Sequence, residues 1–455
     1  MDTNTIAAIA TPLGVGGIGV VRISGEDAFT VADRLIKTAQ NHAISEMRGY
    51  TCAYGRAYDT EGDIDEVVVS VFRAPRSYTG ENVVEISSHG GVYLVRRILR
   101  ACCENGARPA LAGEFTKRAF LNGKLDLTQA EAVADLISAQ GKQSAKAALT
   151  ARDGALFHKV DRICGRLVEQ AAHLAAWIDY PEEEIVEVDA GELASALQNC
   201  EEELSQLLDS YDAGRVIREG IDTAIVGRPN VGKSTLMNLL SGYRRSIVAD
   251  LAGTTRDVVS DTVQLGDIVL HLSDTAGIRS SDDPVERAGV ELAVEHLERA
   301  QLVLAVFDGS QSLDEDDRKV ISFCRGMTSI ALVNKNDLPQ VLNLHELEEQ
   351  FSVVLSLSAK EGNGAEQLRL KIQELFGLGA FDSSAAMLAN ERQRAGALDA
   401  VLEIREAREA LASGVSYDAV CVCIENAIDR LLELTGKRAS QEVVDQVFSR
   451  FCVGK

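Results

Sequence analysis

The apolar positions of this chain change their period along its length, and each change predicts a different kind of element. Through about residue 124 the apolar runs are short and broken by Gly and Pro. "VVRIS" (Val20 to Ser24) and "EVVVSVF" (Glu66 to Phe72) read as strands. From Leu125 the period becomes helical. In "LTQAEAVADLI", Thr128 is placed to cap a helix, Glu131 to complete a capping box, and Ala130, Val133, Ala134 and Ile137 to share one face. Leu193, Leu197, Cys200, Leu204 and Leu207 then alternate spacings of four and three, an amphipathic seam. Between about 216 and 380 strand and helix patterns alternate, which predicts a mostly parallel sheet. After Glu391 the helical seam returns at Val420, Ile424, Ala427, Leu431 and Leu434, with Gly436 where a C-cap belongs.

A tail of that size has too little apolar surface for its own core. The two helical stretches are therefore expected to pack together, with the α/β segment inserted between them. The predicted fold class is multidomain, α+β followed by α/β. It comprises an α+β domain (1–124), a discontinuous helical domain (125–215 and 381–455) and an inserted Ras-like P-loop domain (216–380).

Composition narrows the setting. The chain has 455 residues, 46% hydrophobic and 25% charged, within the range of globular proteins. No apolar run is long enough to cross a bilayer and the N-terminus has no basic signal-peptide start, so a cytoplasmic, membrane-free protein is expected. Nine cysteines without a CxxC pair point to reduced thiols, with Cys102, Cys103, Cys421 and Cys423 as packing residues. A net charge of −23 disfavours extensive unaided wrapping of nucleic acid. The local basic runs "VRRILR" (Val95 to Arg100) and "YRR" (Tyr243 to Arg245) read best as solvated faces.

The strand "TAIVG" runs into "GRPNVGKST", which fits G-x-x-x-x-G-K-[ST] from Gly227 to Ser234. Glycines let backbone N–H groups curl around phosphate oxygens, and the following helix N-terminus adds positive potential. Asn230, Val231, Gly232, Lys233, Ser234 and Thr235 form this cradle, with Lys233 on the β- and γ-phosphates and Ser234 on magnesium. "LSDTAG" puts Asp274 at a strand end, a magnesium ligand through water, followed by Thr275, Ala276 and Gly277 as a γ-phosphate sensor. "ALVNKND" offers Asp337 to guanine N1 and N2, with Asn334 and Lys335 framing the base. "LSAK" supplies Ser358, Ala359 and Lys360, with a backbone donor for guanine O6. "GTTRD" brings Thr255 to the magnesium. Five elements in this order predict a GTP site.

Hydrolysis needs a group to hold water. Ras-like enzymes use a glutamine after D-x-x-G. Here that position is Ile278, which leaves Glu286 as the candidate. Arg256 and Arg279 are possible charge stabilisers. A monovalent cation at Asn230 is the alternative.

With these motifs stand "DTNTIAAIATPLGVGGIGVVRISG", "SYTGENVVEISSHGG", "GEFTKRAFLNGKLDLTQAEAVADLI" and "LTGKRASQEVVDQVFSRFCVGK". Over nearly its whole length the chain resembles the MnmE (TrmE) family of tRNA-modification GTPases. The resemblance implies a folate-binding, dimerising N-terminal domain, a helical domain and an inserted GTPase domain dependent on potassium. Carried over, the potassium ligands are Asn230, Ala249, Leu251 and Thr254. Magnesium falls to Ser234 and Thr255, and the water-orienting carboxylate is Glu286. The nucleotide loop spans Ala249, Asp250, Leu251, Ala252, Gly253, Thr254 and Thr255. Folate contacts are Arg22, Glu85, Lys124 and Lys455, for 5,10-methylenetetrahydrofolate or its 5-formyl analogue. The implied partners are a second copy, the FAD-containing subunit MnmG (GidA) in a heterotetramer, and tRNA modified at C5 of the wobble uridine. A regulatory GTPase of ribosome assembly is the competing class, for which no basic RNA-binding module is evident.

Three further features invite misreading. "GVGGIG" (Gly14 to Gly19) spells a dinucleotide fingerprint but precedes a strand pattern, not the helix such a site needs. His89 in "SSHGG" has no nucleophile elbow nearby and reads as structural. "CVGK" at the C-terminus fails as a prenylation box at Gly454 and Lys455. A tied-down tail lining the folate site is expected instead, with Cys452 a candidate reactive thiol.

Overall fold

The computed structural model describes residues 4–179, 187–242, 261–274, 300–449 and 451–454. Its chain divides into two compact units. One comprises Met1–Ala134, Ala151–Ser205 and Glu391–Lys455, the other Asp135–Thr150 and Gln206–Asn390.

The first unit is built on a seven-stranded sheet. Its strands are β1 (Ile6–Ile9), β2 (Gly16–Ser24), β3 (Ile36–Thr38), β4 (Thr51–Asp59), β5 (Gly62–Phe72), β6 (Val83–Gly90) and β7 (Arg108–Pro109). They lie in the order β3-β4-β5-β6-β2-β1-β7, antiparallel except for β1 with β7. Ile64, Val67, Val69 and Val71 of β5 face a core shared with the helices Ala28–Leu35 and Val92–Glu104. The glycine run is the irregular start of β2, whose register shifts between Gly16 and Gly19 opposite Gly90. A strand follows it, as its pattern indicated. The basic run on Val92–Glu104 is partly internal: Arg97 grips Asp59 through two bonds of 2.7 Å, and Arg100 reaches Glu61 at 2.8 Å. "YRR" at 243–245 lies outside the described residues.

The helical seams behave as their spacing indicated. Leu193, Leu197, Cys200 and Leu204 on the helix Ala190–Asp209 are fully buried, as are Val420, Ile424, Ala427 and Leu431 on Tyr417–Thr435. Tyr417–Thr435 packs against both Glu391–Ala412 and Ala155–Asp179. Trp177 meets Tyr417 edge-on at 5.4 Å, and Arg405 reaches across to Glu201 at 2.6 Å. Helices from before and after the inserted segment thus share one core.

Two local expectations are corrected. The helix Leu127–Ser138 is capped by Asp126, not Thr128: Asp126 Oδ1 accepts from the Gln129 N–H at 3.0 Å, and Gln129 Oε1 accepts from the Asp126 N–H at 3.0 Å. A carboxylate outcompetes a hydroxyl as acceptor, and Thr128 donates to Asp126 at 2.6 Å. Glu131 is thereby released to hold Arg392 and Gln393 at 2.6–2.8 Å. Ile137 is 52% exposed, so the buried stripe stops at Val133 and Ala134.

In the second unit, β8 (Ile221–Val226), β9 (Asp261–Leu265), β10 (Ile268–Asp274), β11 (Leu302–Asp308), β12 (Ser329–Asn334) and β13 (Val354–Ser356) form one sheet. Its order is β13-β12-β11-β8-β10-β9, parallel except for the β9–β10 hairpin. β11 shows why: Leu302, Leu304 and Val306 enter one core while Val303, Ala305 and Phe307 enter the other. A strand covered on both faces reads as an unbroken apolar run.

Gly436, at φ +84°, closes the helix Tyr417–Thr435, and a Cβ there would lie 2.5 Å from Leu127 Cβ. Gly436→Ala is expected to destabilise the fold by about 1–3 kcal/mol through this overpacking. Thermal melting checks it, and an unchanged midpoint would contradict the packing described.

Candidate functional site

The parallel sheet brings the nucleotide motifs to the C-terminal ends of neighbouring strands. β8 leads into the phosphate loop, which ends in the helix Lys233–Gly242. β10 lies beside β8 with Asp274 paired to Ile225, so the end of β10 sits against the start of that loop. β12 ends in Asn334, and β13 leads to Ser358. Ligands of open parallel sheets bind at such strand ends.

The loop backbone is shaped for close approach. Asn230 has φ +65° and Gly232 φ +100°, and a side chain at Gly232 would collide with Asn334 Nδ2. Lys233 Nζ donates to the carbonyls of Gly227 (2.6 Å) and Arg228 (3.0 Å). Ser234 and Thr235 are exposed in the first turn of the helix, where oriented N–H groups favour anions.

Asn334 ties three loops together. It is 3% exposed; its Nδ2 donates to the Val231 carbonyl at 2.8 Å, and its Oδ1 accepts from the Ala359 N–H at 2.9 Å. Asp337 is exposed and takes a 2.7 Å bond from the Ser358 hydroxyl, which holds its carboxyl below the usual aspartate range. It is therefore a charged acceptor near neutral pH. Lys335 adopts φ +66°, uncommon for a side-chain-bearing residue, and its ammonium lies 2.6 Å from Asp308 Oδ2. Burial works against the charge of Asp308, yet bonds from Lys335 and Ser310 keep its carboxyl low. Lys360 is exposed at the rim.

The motif reading did not single out Asp308. Its signal was a lone acid ending an apolar run, "LVLAVFD". Of the expected residues, Ala249, Asp250, Leu251, Ala252, Gly253, Thr254, Thr255, Thr275, Ala276, Gly277, Glu286 and Lys455 lie outside the described residues. Asp274 is described only in its backbone.

In the first unit Arg22 and Glu85 stand opposite each other on β2 and β6 and pair at 2.8 Å. Arg22 lies over the rings of Tyr78 (5.7 Å) and Phe115 (5.5 Å), and donates to the Gly454 carbonyl at 3.2 Å. The chain end is held further by a Val453–Ala112 bridge and by the Gly113 N–H on the Cys452 carbonyl. Cys452 itself is exposed. Lys124 bonds instead to the Pro75 carbonyl at 3.2 Å. A largely sheltered charge network in the same unit has no motif to mark it: Arg118 joins Glu81 and Glu114, and Arg108 grips Glu114 at 2.6 Å. Its sequence signal was the i,i+4 pair Glu114–Arg118. His89 is exposed and pairs with Asp65 at 2.9 Å, which raises its pKa.

A family model described as the MnmE helical domain matches residues 127–452, and one described as the GTP-binding protein TrmE N-terminus matches residues 5–124. The chain is 44% identical to a tRNA modification GTPase MnmE of Symbiobacterium thermophilum over 459 residues, covering 100% of both. It is 39% identical to that of Acetivibrio thermocellus over 457 residues, covering 99% of each. The G domain of T. maritima FeoB aligns with 34% of this chain and 98% of its own at 24% identity and a TM-score of 0.28.

Asn334→Ala would leave the Val231 carbonyl and the Ala359 N–H without partners, at about 1–3 kcal/mol for each buried orphan. Faster amide exchange at Ala359 and a lower melting midpoint are expected; protection equal to wild type would show that the loops are held by other means.

Proposed function

The chain belongs to the MnmE (TrmE) family, and from that premise we propose that it is a potassium-dependent GTP-hydrolysing subunit of a tRNA-modifying complex. With an FAD-containing partner of the MnmG type, it serves to add an aminomethyl-type group to C5 of wobble uridine. The one-carbon unit comes from methylenetetrahydrofolate bound by the first unit. The observation that carries the nucleotide part is the convergence of Lys233, Asn334, Lys335, Asp337 and Ala359 at the ends of adjacent strands.

Each residue then has a chemical task. Lys233 exchanges its two carbonyl partners for the β- and γ-phosphates. The loop N–H groups and the helix N-terminus hold the same oxygens. Asp337 accepts from guanine N1–H and the 2-amino group, a pair that adenine does not present. The Ala359 N–H already serves Asn334 Oδ1 and the Ser358 N–H the Asn363 carbonyl, so the Lys360 N–H is assigned to the base edge. Ser234, with Thr255 and Asp274, suits magnesium, which supplies charge neutralisation of the phosphates when bound. Asn230, Ala249, Leu251 and Thr254 offer oxygens for potassium. Glu286 orients water in place of the glutamine that Ile278 replaces.

In the first unit, Arg22 and Glu85 present a fixed charged pair, with Lys124 and Lys455 as further contacts to the folate. Tyr78, part-exposed beside Arg22, gives the site one aromatic wall, which suits a pterin ring, while Phe115 supports Arg22 from the core. A homodimer brings two such chains together.

Steady-state GTP hydrolysis in potassium and in sodium tests the cation assignment. A rate at least about tenfold higher in potassium is expected, equivalent to about 1.4 kcal/mol of transition-state stabilisation. Equal rates in the two salts would overturn it.

A further inference from the structure

Besides Asn334, a second route joins the phosphate loop to the guanine-reading loop: the segment Asp308–Asp317. Arg228, inside the phosphate loop, reaches this segment with three prongs, two of them hydrogen bonds and the third, at Nε, a charge contact without a hydrogen bond. Its Nη1 lies 3.1 Å from Asp314 Oδ2, its Nη2 donates to Gln311 Oε1 at 2.7 Å, and its Nε lies 3.3 Å from Asp317 Oδ2. The Arg228 side chain is only 16% exposed and that of Asp317 2%, so this contact is sheltered from solvent, while Asp314 and Gln311 meet the guanidinium at the surface.

The acceptors are themselves fixed. Asp314 and Asp317 form a reciprocal capping box at the start of the helix Glu315–Phe323: Asp314 Oδ1 accepts from the Asp317 N–H at 2.9 Å, and Asp317 Oδ2 from the Asp314 N–H at 3.2 Å. At the other end, Asp308 accepts from Ser310 N–H (3.0 Å), Ser310 Oγ (2.6 Å) and Lys335 Nζ (2.6 Å). Between them, the Gly309 carbonyl accepts from the Val341 and Leu342 N–H groups at 2.8 and 3.2 Å. Arg228 is engaged at its backbone too, because its carbonyl is one of the two rests of Lys233. A shift of Arg228 therefore moves the resting place of the lysine that serves the phosphates.

We propose that Arg228 and Asp308 are positioning residues, the two handles of a brace through which the segment Asp308–Asp317 fixes the phosphate loop relative to Lys335. The assignment rests on the nucleotide-site reading above. Neither residue is asked to touch the nucleotide. The brace keeps both subsites at the spacing of one ligand, so its loss is paid in binding rather than in chemistry.

The test uses the full-length protein with GDP binding and steady-state GTP hydrolysis, on wild type, Arg228→Ala, Asp308→Asn and the double variant. Each single change is expected to raise the GDP Kd and the GTP KM by about tenfold, with kcat within about twofold of wild type. Cutting either handle releases the same brace, so the double variant should lose no more than about threefold beyond the weaker single. Arg228→Lys, which keeps one prong, should fall between wild type and Arg228→Ala.

Losses that multiply to about a hundredfold would show two independent contacts and overturn the brace. So would an unchanged KM, or a fall in kcat alone. Should the buried changes lower the melting midpoint, Gln311→Ala removes one prong at an exposed residue; a KM rise of about threefold at wild-type melting is expected, and no rise overturns the proposal. Failure of the wild type to bind GDP or GTP would instead defeat the nucleotide-site reading itself.

Discussion

One buried carboxamide holds the nucleotide site in register. Asn334 donates to the phosphate-loop carbonyl of Val231 and accepts from the Ala359 N–H, so three loops that are distant in sequence meet at a single side chain. Its burial makes both bonds obligatory, since water cannot replace them. The constraint extends to Gly232, where any side chain would collide with the same amide. The sheet beneath supplies the strand ends, and Asn334 sets how the loops that leave them face one another.

Much of this architecture could be read from the chain because its periods are clean. β11 is apolar at consecutive positions and lies covered on both faces, while β5 alternates and faces one core. Both four-three seams are buried, and that of Tyr417–Thr435 belongs to a core joining helices on either side of the inserted segment. The sequence pattern points to Thr128 as the cap because a short window weighs Thr128 and Glu131 as a pair. It cannot show that Asp126 outcompetes the hydroxyl or that Glu131 is needed by Arg392. Ile137 was assigned to the buried face by spacing alone, and spacing does not reveal where a covering partner ends.

The site divides in the same way. Motif residues with fixed local spacing, from Asn230 to Ser234 and from Asn334 to Asp337, were visible because backbone geometry and base chemistry demand them together. Asp308 and Arg228 were not, because their partners are set by the fold: Arg228 meets Asp314, and Asp308 meets Lys335. The chain end follows this rule from the other side. "FCVGK" raised lipidation as a possibility by its position alone, whereas Arg22, Gly113 and Ala112 hold its backbone in the first unit.

The proposed role of this chain's nucleotide site in wobble-uridine modification is tested most directly by nucleoside mass spectrometry of tRNA. Cells lacking the chain are complemented with wild type or with Asp274→Ala. The aminomethyl-type wobble nucleosides are expected to disappear on deletion, to return with the wild type and to stay absent with the variant. TRNA with its wobble modification intact after deletion would contradict it.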